Sequence, residues 1–221
     1  MNLTPYFTIA HALPPSVKLV VVSKMRPVEQ IKMLYDVGHR SFGENRPLEL
    51  KAKYEALSKD IEWHFIGHLQ TNKIKYIAPF VSLIHSIDSF SLLQEVNRHA
   101  EKNNRTISCL LQFFIAQETT KHGLSWEECI VMLESPVFST LKNINIIGVM
   151  GMATFTDNKT IVRKECKQLY RYFQKLKKQY FSNHSDFKEV SMGMSDDYEI
   201  GVEEGSTMVR IGSAVFNIGN N

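Results

Sequence analysis

The sequence predicts an α/β protein, a single (β/α)8 TIM-type barrel, and three observations carry that expectation. Short apolar runs alternate with amphipathic stretches eight times, with no long linker, low-complexity tract or composition break. The apolar runs are continuous rather than alternating, as in parallel strands covered on both faces. Eight such units in 221 residues is the count of a closed barrel. An open doubly wound sheet is the alternative. It lacks its usual mark, because no G-x-G-x-x-G follows the first strand.

The elements follow in order. Residues 1–17, punctuated by Pro5, Pro14 and Pro15, are expected to be an irregular lead-in, with one domain over 18–221. The first strand is 18–23. Pro27 suits the first turn of the next helix, in which Val28, Ile31, Leu34 and Tyr35 share one face and Gly38 ends it. A short strand at 39–45 precedes a polar helix at 46–57, with Leu48, Leu50 and Tyr54 turned to the core. Strand 61–67, a short helix at 71–80 and strand 81–88 come next. Asp88 or Ser89 caps a helix bearing Leu92, Leu93 and Val96. Strand 107–116 leads to a helix with Ser125 as cap and Glu128 three residues on, a capping box. Strand 143–152 leads to a long basic helix at 158–181, burying Val162, Cys166, Leu169, Tyr172, Phe173 and Leu176. The seventh strand ends in SMG, and an acidic first turn opens the following helix. The eighth strand is 207–213, and AVFNI makes a last helical piece.

Composition narrows the function. A net charge of +3, with 43% hydrophobic and 22% charged residues, points to neither nucleic acid nor an anionic membrane as partner. The aromatics of the basic helix sit at helical spacing and read as core, its lysines as a solvated face. Three widely spaced cysteines favour a reducing compartment, here the cytoplasm, over a disulfide framework or a cysteine zinc site. The N-terminus has no basic n-region followed by an apolar h-region, so no signal peptide is expected. No apolar run has the length of a membrane span.

The chemistry should lie at the C-terminal ends of the strands. Lys24 ends the first strand, where burial of its neighbourhood favours a neutral, nucleophilic amine. The loops after strands seven and eight, SMGMS and RIGSA, have the small residues and serine hydroxyls of a phosphate cradle. Barrel closure sets strand eight beside strand one, so Lys24 stands next to that cradle. This suits a Schiff base with either pyridoxal 5′-phosphate (PLP) or a sugar phosphate, as in class I aldolases. Arg210, two residues before the turn, favours PLP: a guanidinium facing the pyridine nitrogen stays protonated and keeps that nitrogen unprotonated. His64 and His68 have an H-x-x-x-H spacing but straddle a strand end, and no third ligand completes a metal set. Lys121 and His122 fall at the mouth too; Lys121 reads as a rim ion-pair partner, with a second PLP-accessible amine as the alternative.

Seven motifs then carry a family resemblance: VVSK at 21–24, FGEN at 42–45, WHFIGHLQTNK at 63–73, IHSID at 84–88, TTKHG at 119–123, SMGMSDDYE at 191–199 and GSTMVRIGSAVF at 205–216. Together they resemble the PLP homeostasis proteins, the YggS/PROSC family, whose fold is similar to the barrel domain of bacterial alanine racemase. The resemblance implies an internal aldimine on Lys24 and Arg210 at the pyridine nitrogen. It also implies Ser191, Ser195, Gly212 and Ser213 around the phosphate, and Asn45 near the ring. Two departures stand out: a short proline-bearing start where the family begins with a helix, and Phe216-Asn217-Ile218-Gly219 in place of F-G-x-R.

Racemisation needs a second acid/base on the opposite ring face, which alanine racemase takes from a separate domain that this chain is not expected to have. An unprotonated pyridine is also a poor electron sink. The expectation is a non-catalytic PLP carrier or regulator serving vitamin B6 homeostasis, a monomer with a dimer as the alternative, and PLP-dependent apo-enzymes as candidate recipients. A racemase-like enzyme or a Schiff-base aldolase is the alternative.

Overall fold

Eight parallel strands close into a barrel in chain order, β8 pairing back to β1, in a computed structural model that describes residues 1–118 and 122–216. The strands are β1 (Lys18–Val22), β2 (Ser41–Glu44), β3 (Glu62–Phe65), β4 (Leu83–Ile87), β5 (Ile107–Phe113), β6 (Ile144–Gly151), β7 (Glu189–Ser191) and β8 (Met208–Ile211). Around them lie α1 (Thr4–Ala12), α2 (Val28–Asp36), α3 (Pro47–Ala56), α4 (Phe90–Lys102), α5 (Trp126–Glu134), α6 (Lys159–Gln179), α7 (Tyr198–Glu203) and α8 (Ser213–Phe216). No helix among the described residues is long and apolar enough to cross a membrane.

The expected caps form. Ser89 accepts from the Leu92 amide, and Ser125 with Glu128 makes a full capping box. Asn158 caps α6 by accepting from the Thr160 and Ile161 amides. This long basic helix buries Val162, Cys166, Leu169, Phe173 and Leu176, with Tyr172 packed beside them, so its aromatics serve the core. Val20, Leu83, Leu110, Met150 and Met208 fill the barrel interior, while a larger apolar shell joins strands to helices.

Four expectations need correction or fall outside the described residues. The lead-in is not irregular: Thr4–Ala12 is helical, because Pro5 sits in the first turn, where no amide partner is lost. The helix stops at Leu13, which is extended ahead of Pro14. Its Tyr6 and Ile9 are buried on the barrel, so the supposed departure at the N-terminus disappears. Leu48 is exposed, since Leu50 and Lys53 occupy the buried face of α3. The short helix after β3 is a 3-10 helix, Thr71–Tyr76, tight enough to bury Ile74 and, just beyond it, Ile77. Residues 217–219, where the C-terminal departure falls, lie outside the described residues.

His39 ties α1 to the barrel. Its Nε2 lies 2.8 Å from the Ser41 carbonyl and so carries the hydrogen, leaving Nδ1 to accept from the Tyr6 hydroxyl at 3.3 Å. Burial lowers the His39 pKa to about 4. Between pH 6.5 and 4 the unfolded chain therefore binds a proton that the folded chain refuses, and stability falls as pH falls through this window. Urea midpoints measured from pH 7 to 4 are expected to drop on the acid side, with a shallower slope in His39→Gln. A midpoint indifferent to pH in that window would count against this assignment.

Candidate functional site

The β1–β8 register pairs Val20 with Arg210, so Arg210 enters the barrel directly below the position from which Lys24 rises at the mouth. A cavity of about 800 Å³ opens there at the C-terminal ends of the strands. Six of the seven predicted residues line it: Lys24, Asn45, Ser195, Arg210, Gly212 and Ser213.

Ser191 is the exception. It is fully buried one layer deeper and does not itself line the cavity. As the last residue of β7 it faces the barrel interior, where its hydroxyl accepts from Arg210 Nη1 at 2.6 Å. It is placed to hold Arg210 rather than a phosphate. Arg210 Nη2 also donates to the Gly151 carbonyl at 3.0 Å. Burial pulls the Arg210 pKa down to about 10, which leaves the guanidinium charged at neutral pH.

Lys24 is exposed at the cavity wall, so its protein neighbours do not supply the burial expected of it. Among the described residues no hydrogen bond or ion pair engages its ammonium. What is buried is the platform beneath. Lys53 Nζ, in α3, donates at 2.7 Å to the Ser23 carbonyl, to Glu44 Oε1 and to Glu49 Oε1. The Ser23 hydroxyl donates to the same Glu44 oxygen at 2.5 Å. Met25, the residue after Lys24, is left-handed (φ 59°), and its amide donates to Glu49 at 2.6 Å. A left-handed non-glycine residue beside Lys24 is local strain that the surrounding bonds enforce. Burial pushes the Glu44 carboxyl up, against Lys53 and Ser23, which pull it down.

The SMGMS turn depends on Gly193, whose φ of 96° disfavours any side chain. Its carbonyl accepts from the Arg210 amide at 2.9 Å, which ties this turn to β8. Ser195 Oγ accepts from the Ala214 amide at 3.4 Å, joining the two loops expected to cradle phosphate. Across the cavity, Asn45 Oδ1 is buried without a hydrogen-bond partner among the described residues. A cavity with an unengaged amine, an unpartnered carbonyl acceptor, a buried guanidinium and two small-residue turns fits an aldehyde-bearing, anionic ring such as PLP.

Sequence reasoning missed several residues here. Gln112, on the wall, donates to the His122 carbonyl at 2.7 Å. His85 is buried within the barrel, bonded to Ser191 at 3.0 Å and to His64 at 2.9 Å. Gln112 is the lone polar residue of the apolar run LLQFF, and His85, with Ser86, interrupts the run LIHSI; those interruptions were the available signal. His64 and His68 do not converge: His64 is interior, whereas His68 sits on the rim with Asp88 and His122. Those three offer ligand atoms within 4.8 Å of one another, but the His68 and His122 rings stack at 4.3 Å and 21°, so their lone pairs lie in separate, nearly parallel planes. Lys121 lies outside the described residues.

The family model described as alanine racemase, N-terminal domain, matches residues 7–219. The chain belongs to that family. The resemblance drawn from its motifs holds within it: a pyridoxal phosphate homeostasis protein of Aquifex aeolicus is 39% identical over 90% of this chain and 86% of its own length. The human protein of the same name is 32% identical over 90% of this chain and 75% of its own length. Among solved structures, PipY of Synechococcus elongatus PCC7942 with PLP bound superposes with a TM-score of 0.86 at 32% identity, covering 96% of this chain and 98% of PipY. The Bartonella henselae alanine racemase shares the barrel alone, with a TM-score of 0.72 at 16% identity over 98% of this chain and 58% of the enzyme.

Proposed function

We propose that this chain binds PLP at the barrel mouth and serves intracellular PLP homeostasis as a carrier rather than an enzyme. The observation that carries the reading is one cavity holding an exposed, unengaged Lys24 beside a buried, doubly anchored Arg210, in a chain whose relatives are named for that role. Lys24 would hold PLP through its aldehyde as a Schiff base, Arg210 would donate to the pyridine nitrogen, Ser195, Gly212 and Ser213 would receive the phosphate, and Asn45, whose Oδ1 is unpartnered among the described residues, would face the ring. PLP supplies an electron sink when its ring is protonated; a guanidinium at the nitrogen keeps it unprotonated, which favours holding over turnover. The chain acts as a cytoplasmic monomer that releases PLP to apo-enzymes.

The test is borohydride reduction of the PLP-loaded protein, followed by peptide mass spectrometry. A yellow sample with one phosphopyridoxyl group on Lys24 is expected. A colourless protein, an adduct elsewhere, trapping of a sugar phosphate instead, or robust amino-acid turnover lost in Lys24→Ala would overturn the reading.

A further inference from the structure

Beneath the cavity, a row of polar side chains crosses the otherwise apolar barrel interior. Arg210 Nη1 donates to Ser191 Oγ at 2.6 Å. Ser191 Oγ lies 3.0 Å from His85 Nδ1, and His85 Nε2 lies 2.9 Å from His64 Nδ1. His64 Nε2 faces Glu62 Oε2 at 4.0 Å, long for a hydrogen bond but an electrostatic contact. Glu62 opens to solvent at the opposite face, where Lys18 at 3.0 Å and Ser41 at 2.7 Å also donate to it. Ser191, His85 and His64 are buried.

The two ends determine the direction of the hydrogens between them. A guanidinium only donates, and an ionised carboxylate only accepts. His64, Ser41 and Lys18 hold the Glu62 carboxyl well below its usual range, so it is ionised. Burial disfavours the imidazolium form of both histidines. With neutral links, Ser191 gives its single hydrogen to His85 Nδ1, His85 donates through Nε2–H to His64 Nδ1, and His64 turns Nε2–H toward Glu62. The reverse order sets a bare His64 lone pair against a carboxylate.

We propose that this one-way relay sets the aim of the Arg210 guanidinium, with His85 and His64 as positioning residues. A serine hydroxyl rotates freely unless its hydrogen is engaged. With that hydrogen committed to His85, the Ser191 lone pair faces Arg210 and holds Nη1, while Gly151 holds Nη2. The remaining guanidinium hydrogens then point to the cavity. The inference rests on Arg210 as the ring-nitrogen partner, but the relay exists without ligand and is tested there first.

Nitrogen-15 NMR of histidine-labelled, ligand-free protein is expected to show both imidazoles neutral and Nε2-protonated, with a scalar coupling across the His85 Nε2–His64 Nδ1 bond. A protonated Nδ1 at either residue, or an imidazolium at neutral pH, would overturn the relay whether or not PLP binds. In the loaded protein, His85→Phe and Ser191→Ala are each expected to shift the PLP absorption band and weaken PLP retention roughly tenfold, as for a lost bond to a charged group. The amide of His85→Gln can accept from Ser191 and donate to His64, and should restore the band. Unchanged bands and retention in both disrupting variants, or no restoration by His85→Gln, would show that the relay does not position Arg210. Failure of the wild-type chain to form any adduct instead defeats the PLP reading, and leaves the ligand-free spectrum to decide the relay.

Discussion

Lys24→Ala is expected to fold as the parent does and to lose covalent PLP retention. The side chain is exposed and makes no hydrogen bond among the described residues, so its removal should change stability by no more than about 0.5 kcal/mol. The remaining contacts to ring and phosphate are non-covalent, so dialysis should strip the cofactor, and borohydride should leave no adduct. Lys24→Arg separates charge from chemistry: it keeps the cation at the mouth but cannot lose the protons that a Schiff base requires. Both variants should be colourless. A yellow, dialysis-resistant Lys24→Ala would mean that another lysine is the tether.

Lys53→Met is expected to cost about 3–5 kcal/mol of stability, although residue 53 does not line the cavity. Lys53 is 5% exposed and is the cation for Glu44, which is fully buried. Methionine fills the space but leaves the Glu44 carboxylate buried without a counter-charge. The same substitution releases the Ser23 carbonyl and Glu49, and with them the left-handed turn that presents Lys24. The pH dependence has a definite sign. Burial already raises the Glu44 pKa above its ordinary value of 4.5, and losing Lys53 raises it further. The folded variant then binds a proton that the unfolded chain has released, so its deficit grows as pH rises above 4.5 and shrinks below it. Chemical denaturation at pH 4 and pH 7 measures this, and Glu44→Leu in the Lys53→Met background should recover much of the loss. A cost under about 1 kcal/mol at pH 7 would show that the buried pair is not what secures this end of the sheet.

Much of this was legible in the chain because the relevant signals are local. Apolar runs, Ser125 with Glu128, and lysine and glycine at strand ends mark the elements and the mouth without knowledge of contacts. The irregular reading of residues 1–17 failed because three prolines outweighed the one position, the first turn, where proline suits a helix. Ser191 was misplaced for a different reason. Its motif locates the end of β7, but the stagger of neighbouring strands decides whether an inward side chain reaches the cavity or the layer beneath, and that depends on register. The Lys53 platform and the histidine row were out of reach because their partners lie far apart in sequence and meet only when the barrel closes.

The pairing of β1 with β8 also has a kinetic meaning. Lys24 leaves the ribosome long before Arg210, Gly212 and Ser213 do. On the proposed function, a nascent chain thus carries the ligand-binding amine long before it has the guanidinium and the small-residue turns that would make that amine selective. On the proposed function, ligand capture would report that the barrel has closed. A chain stalled before β8 should hold no more PLP than any exposed lysine does, and the first yellow colour in a synchronised translation should appear only once the last strand has docked against the first.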